Sequence, residues 1–116
     1  MHELSIAVDL VEMASAELAR LGAPGATAVH LRVGRLSGVV KEALVFSFDV
    51  AVVGTPLDGA RLHIADVPVT VWCETCAAER ELEDLARRRC PVCESPTRRV
   101  VRGHELELVS LEIRDG

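Results

Sequence analysis

Four cysteines in two close pairs constrain this chain more than any other feature. Cys73-Glu74-Thr75-Cys76 and Cys90-Pro91-Val92-Cys93 are both CxxC turns, with thirteen residues between the pairs. Each turn places two sulfurs on one side of a tight loop. Two such turns bring four thiolates to one tetrahedral ion, the geometry that Zn(II) takes without distortion. A redox CxxC needs no second copy at this separation. Cys73, Cys76, Cys90 and Cys93 are therefore read as ligands of a structural zinc, and a full thiolate shell leaves no position for a reactive water. The segment 73–103 holds few large apolar side chains. It cannot close on a hydrophobic core alone, so the metal has to hold it.

The rest of the chain reads as one small domain wrapped around that segment. With 116 residues it has room for one modest core and a second, stapled unit. Leu4, Val8, Val11, Leu18 and Leu21 recur at helical spacing, with Ser5, Asp9, Glu12 and Arg20 on the opposite arc and Gly22 just beyond, which predicts an amphipathic helix over 4–21. Thr27, Val29, Leu31 and Val33 alternate with Ala28, His30 and Arg32, the period of a half-buried strand ended by Gly34. After the loop Gly34-Arg35-Leu36-Ser37-Gly38, residues 41–53 are apolar on most of their circumference and stop at Gly54-Thr55-Pro56, which predicts a largely buried helix. Strands are expected at 61–66 and 69–72, around Pro68, and at 104–114. In that last strand the apolar phase changes from Leu106 and Leu108 to Val109, Leu111 and Ile113, which suggests a bulge near Leu108. The expected fold class is α+β, in an α/β sandwich-like form: a small mixed sheet with two helices and an inserted zinc-ribbon-like domain. The boundaries are 1–70 with 104–116 for the α/β domain and 71–103 for the zinc domain.

Charge and motifs exclude several functions. Residues 71–103 carry seven arginines against six carboxylates, and the remainder carries six basic against twelve acidic side chains. A zinc tetrathiolate adds a further net −2 to the cysteine segment. Aromatic side chains are few (Phe46, Phe48 and Trp72), so a base-stacking platform is nearly absent. A zinc-ribbon nucleic-acid module is therefore disfavoured, though it stays open beside a zinc-stabilised interaction scaffold. The apolar stretch 39–53 is broken by Lys41, Glu42, Ser47 and Asp49, so no membrane span is expected. The N-terminus lacks the basic region and cleavage site of a secretory signal, which leads to an expected reducing cytoplasm and unpaired cysteines. No phosphate loop, GxSxG elbow or nucleophile with a base is evident, so the chain is not expected to be an enzyme.

The first three residues offer a second metal chemistry. In Met1-His2-Glu3 the α-amine, the backbone nitrogen of His2 and its imidazole can close adjoining chelate rings, a planar nitrogen set that suits Ni(II) or Cu(II). A side chain as large as His2 normally blocks removal of the initiator methionine, and Glu3 can add an oxygen. The plainer alternative is an exposed terminal histidine, since termini are usually tolerant; here the predicted helix begins at once and anchors the segment. His30 and His63 fall on the polar sides of predicted strands and read as surface residues, and His104 follows Gly103 at a strand start.

The start Met1-His2-Glu3-Leu4-Ser5-Ile6-Ala7, the loop Gly34-Arg35-Leu36-Ser37-Gly38-Val39, the two CxxC pairs and the closing Glu105-Leu106 strand resemble, in order and spacing, the HypA-type nickel-insertion chaperones of hydrogenase maturation. The resemblance covers essentially the whole chain. It implies Ni(II) as transferred cargo, held by Met1 and His2 through their nitrogens with Glu3 close by, and Zn(II) as a structural ion. It implies delivery to the large subunit of a [NiFe] hydrogenase, with a companion nickel-binding GTPase that supplies nucleotide hydrolysis; some relatives also serve urease. A homodimer is left open, including one that swaps the last strand. One departure stands out: many relatives carry an acidic residue after the Gly-Val of the loop, where this chain has Val40 and Lys41, followed by Glu42.

Overall fold

The computed structural model describes residues 2–115. They form two compact units, one comprising Met1–Leu31, Gly38–Ala65 and Glu107–Gly116 and the other Arg32–Ser37 with Asp66–Leu106. The fold is α+β, with two helices and two three-stranded sheets.

The first unit carries helix α1 (Glu3–Leu21), most of strand β1 (Gly25–Gly34), helix α2 (Lys41–Ala51), most of strand β2 (Arg61–Val67) and most of strand β6 (Leu106–Arg114). β1 is the central strand of the order β2-β1-β6. α1 ends where the sequence predicts. Gly22 takes a left-handed φ of 68°, and the Gly22 and Ala23 N–H groups bond to the carbonyls of Ala19 and Leu18. Its buried face differs from the predicted stripe. Ile6, Ala7, Leu10, Val11, Ala14 and Leu18 are buried, whereas Leu4, Val8 and Leu21 are 43, 40 and 48% exposed. Ala7 and Ala14, nearly fully buried, carry little hydropathy weight, which is why the larger side chains beside them drew the prediction.

α2 is also less buried than its composition suggests. It packs against α1, and Leu44 and Phe48 are completely buried, but Phe46 and Val50 are more than half exposed; the helix ends at Ala51, so Val53, expected within it, lies exposed in the turn beyond. A helix that covers one side of a small unit buries one stripe whatever the rest of its circumference contains. The turns that follow are held by local bonds: the Thr55 hydroxyl donates to the Val52 carbonyl at 2.7 Å and accepts from the Leu57 N–H at 3.1 Å. They carry Leu57 into the core with no exposure. In β6 the partly buried positions move from Leu106 and Leu108 to Leu111, which places the expected change of apolar phase within one continuous strand.

The second unit is built on strands β3 (Val69–Cys73), β4 (Ala78–Leu82) and β5 (Arg99–Arg102), in the antiparallel order β4-β3-β5. Val69 faces Leu82 and Cys73 faces Ala78, while the β3/β5 pairing shifts between Thr70 and Val71. Its apolar core is small: Val69, Val71 and Leu82, with Leu36, Leu85 and Val100 packed against them. The loop Gly34-Arg35-Leu36 is a strap of this same unit. Gly34 N–H donates to the Glu105 carbonyl at 2.7 Å, Arg35 N–H to Val67 at 3.1 Å and Leu36 N–H to Gly103 at 2.7 Å. The cysteine-bearing unit thus extends beyond 71–103, because Leu36 and Val69 belong to its core.

Candidate metal centre

β3 delivers Cys73 at its end, and the turn into β4 delivers Cys76; the second knuckle delivers Cys90 and Cys93. In each knuckle the backbone folds onto the first sulfur. Cys76 N–H points to the Cys73 sulfur at 3.4 Å, and Val92 and Cys93 N–H to the Cys90 sulfur at 3.4 and 3.5 Å. The residue after each second cysteine, Ala77 (φ 51°) and Glu94 (φ 65°), turns back through the left-handed region. Cys90 N–H is tied to the Ser95 carbonyl and Glu94 N–H to the Cys90 carbonyl, so the second turn is closed on both sides.

The four sulfurs lie within 4.8 Å of one another, with Cys73–Cys93 at 3.5 Å and Cys76–Cys90 at 3.9 Å. A tetrahedron with Zn–S bonds of about 2.3 Å has S–S edges of about 3.8 Å. The donor set and spacing therefore suit a metal such as zinc. Cys73 and Cys90 are fully buried and Cys76 and Cys93 partly so, so an ion there is shielded on two sides by the fold.

Protons are unevenly held among these thiols. Hydrogen bonding with Cys93 pushes Cys76 up to about 11, against the pull of the Arg80 guanidinium. At Cys90 burial opposes the thiolate, but the N–H groups of Cys93 and Val92 outweigh it and hold the group at about 6. The Ser95 hydroxyl and N–H lower Cys93 as well. Because a metal binds thiolates, loading releases the protons still on sulfur.

At the other predicted site, Met1 lies outside the described residues. His2 is exposed and extended (φ −93°, ψ 117°), and it is the N-cap of α1 without using its side chain to cap. Its carbonyl accepts the first helical bond, from Ile6 N–H at 3.2 Å. Glu3 reaches across to the second helix, its Oε2 accepting the Val40 N–H at 3.4 Å. The chain start and the loop carrying Val39 and Val40 are thus neighbours, a proximity no sequence spacing reveals.

Sequence reasoning missed one cluster. His30 and His63 were expected to be unrelated surface residues. Their rings stack at 4.8 Å between centroids and 14° between planes, and His30 Nε2 lies 2.8 Å from Glu112 Oε2. The three residues come from three strands far apart in the chain, so only the strand order could have exposed the grouping.

Comparison with known proteins agrees with this combination of fold and metal-binding groups. A family profile described as "Hydrogenase/urease nickel incorporation, metallochaperone, hypA" matches residues 1–113. A protein named hydrogenase maturation factor HypA from Roseiflexus sp. (strain RS-1) is 54% identical over 115 residues, covering 99% of this chain and 94% of that protein. Its namesake from Chloroflexus aurantiacus (strain J-10-fl) is 53% identical over 112 residues, 97% of this chain and 98% of that protein. The solution structure of the Ni metallochaperone HypA from Helicobacter pylori superimposes with a TM-score of 0.70 over the whole of both chains at 25% identity. The class is that of nickel-incorporation metallochaperones acting in hydrogenase maturation. The chain belongs to the HypA family. No helix among the described residues is long and apolar enough to cross a membrane.

Proposed function

We propose that this protein carries Ni(II) on its N-terminus and passes it to the large subunit of a [NiFe] hydrogenase in the cytoplasm, working with a companion nickel-binding GTPase, while Cys73, Cys76, Cys90 and Cys93 hold a structural zinc. The α-amine of Met1, the backbone nitrogen of His2 and its imidazole supply a planar nitrogen set suited to Ni(II). Glu3 stands beside them as an acidic partner. The helix-bearing unit is then the nickel domain and the cysteine-bearing unit the zinc domain. The observation that carries this reading is the state of His2: exposed and extended at the first turn of a well-formed helix, with its side chain unused as a cap. Such a residue offers nitrogen donors on a rigid base, and a solvent-open chelate exchanges its cargo.

The division of labour between the metals follows from coordination chemistry. A closed tetrathiolate releases its ion slowly and has no vacant position, whereas an exposed terminal chelate gives up its ion to a deeper site. In the cysteine unit Arg102 pairs with Glu79 and Arg87 with Glu94 at 3.4 Å. These pairings draw arginine charge into the unit itself, which favours a structural zinc domain over a phosphate-binding one.

His2→Ala removes the imidazole and its chelate ring while leaving α1 without any lost cap bond. Nickel affinity at the terminus drops by about 100-fold or more, since loss of even an outer partner of a metal ligand costs up to that factor. Calorimetric titration of zinc-loaded protein reads the change; wild-type affinity and stoichiometry in the variant would refute the terminal site.

A further inference from the structure

The sheet of the first unit carries a second set of metal donors that the nickel and zinc readings do not use. β2, β1 and β6 lie side by side in that order and contribute His63, His30 and Glu112 respectively. All three stand on one face. In β1 His30 is on the side opposite the buried Val29 and Leu31, in β2 His63 is exposed between the half-buried Leu62 and Ile64, and in β6 Glu112 is exposed next to the half-buried Leu111. Each offers one ligand atom, and these atoms lie within 4.8 Å of one another. We propose that His30, His63 and Glu112 form a third metal site, a solvent-open three-ligand seat for a divalent transition ion of the Ni(II) and Zn(II) class.

The donor chemistry is the first ground. Two neutral imidazoles and one carboxylate form the set that holds Zn(II) with an open coordination position, and imidazole also suits Ni(II). The support is the second ground. Neighbouring strands lie about 4.8 Å apart, so side chains on one face of three adjacent strands are held near each other by the backbone ladder and not by mobile loops.

The state of the side chains is the third ground. Glu112 already orients His30 through its 2.8 Å contact with Nε2, and the stacked rings keep His63 beside them. An entering ion takes the place of the Nε2–carboxylate hydrogen bond, and a ring proton carried on Nε2 passes through solvent to Nδ1, so the ligating imidazole stays neutral. The rings then tilt out of their near-parallel stack until their lone pairs converge at about 2.1 Å from the metal, with donor atoms about 3.4 Å apart in a tetrahedral shell. The side chains of His30 and Glu112 are 38 and 60% exposed, so the ion enters directly from solvent and water completes its shell. As a bare surface pair, His30–Glu112 contributes little to stability; three converging donors from three strands are better explained as a ligand set.

The test uses the full-length, zinc-loaded protein, titrated with Zn(II) and separately with Ni(II). Long-range nitrogen–proton NMR of the imidazoles under Zn(II) shows the ring nitrogens of His30 and His63 moving together and saturating near one added equivalent. By calorimetry, His63→Ala and Glu112→Gln each weaken this event by about 10-fold or more, with amide spectra showing the fold intact. In His2→Ala the event persists while the terminal nickel event is lost, so this proposal and the terminal chelate fail independently. Imidazole nitrogens unmoved at about ten equivalents of Zn(II), or equal binding in His63→Ala and Glu112→Gln, would overturn the third site.

Discussion

Stripping the metal from the four-cysteine unit, by chelation or by Cys90→Ala, is expected to erase amide-exchange protection throughout β3, β4 and β5 while α1 and β1 keep theirs. The reason is the size of the two cores. The first unit buries Leu18, Val29, Leu31, Leu44, Phe48 and Leu57 almost completely, enough apolar surface for a small domain. The second relies on Val69, Val71 and Leu82 with three partly buried companions. A unit of that size needs a staple, and structural zinc contributes apparent free energies of about 10 kcal/mol or more to small domains of this kind. Cys90→Ala removes a buried ligand from the turn closed by the Ser95 and Glu94 bonds, so the second knuckle loses both its metal and its local order. Mass spectrometry of exchanged peptides checks the outcome; full protection of β3 to β5 in metal-free protein would show that the apolar cluster suffices and that zinc is incidental to folding.

Gly34→Ala is expected to be the most damaging single methyl in the chain, lowering stability by about 3 kcal/mol. A Cβ at Gly34 would lie 2.0 Å from the Gly103 carbonyl oxygen, 2.2 Å from its carbon and 2.7 Å from the Glu105 nitrogen. All three are backbone atoms and cannot swing away. To admit the methyl, the strap has to separate from 103–105, which breaks the Gly34-to-Glu105 and Leu36-to-Gly103 bonds and withdraws Leu36 from its core. Gly38→Ala is the natural control, because nothing lies within 4 Å of a Cβ there and only its φ of 80° opposes a side chain, at about 1 kcal/mol. Chemical denaturation of both variants measures the difference, and equal costs would show that the close approach of Gly34 is relieved without loss.

These contacts also show what the sequence made legible. The clustering of the four cysteines was readable because a CxxC turn is local and two such turns have a chemical reason to meet. The limits of α1, β1 and β2 were readable for a similar reason, since caps, glycines and periodicity act over a few residues. The buried face of α1 was not, because Ala7 and Ala14 are buried by the close approach of their surroundings and not by their own hydropathy. α2 was taken as buried because its circumference is apolar, yet Phe46 and Val50 are 72 and 54% exposed; apolarity states what a helix tolerates, and the packing of its neighbours decides what it buries. The strap was visible as a Gly-Arg-Leu-Ser-Gly loop, but its partners, Val67, Gly103 and Glu105, are distant in the chain. His30, His63 and Glu112 were illegible for the same reason, as were Glu3 and the Val40 N–H. Long-range strand order, and not residue type, brings each of these sets together.

The central claim concerns the α-amine, so the most direct measurement removes that amine as a donor and leaves the terminal side chains in place. Ni(II) is titrated by calorimetry into tag-free, zinc-loaded protein with a free Met1 amine and into the same protein acetylated on that amine, both in the His63→Ala background so that the terminal event is read alone. The account predicts that the acetylated protein loses about 100-fold or more in affinity, because an amide nitrogen in place of the amine no longer anchors the chelate rings of His2. Equal affinity and stoichiometry in the two proteins would place nickel away from the N-terminus and contradict the account.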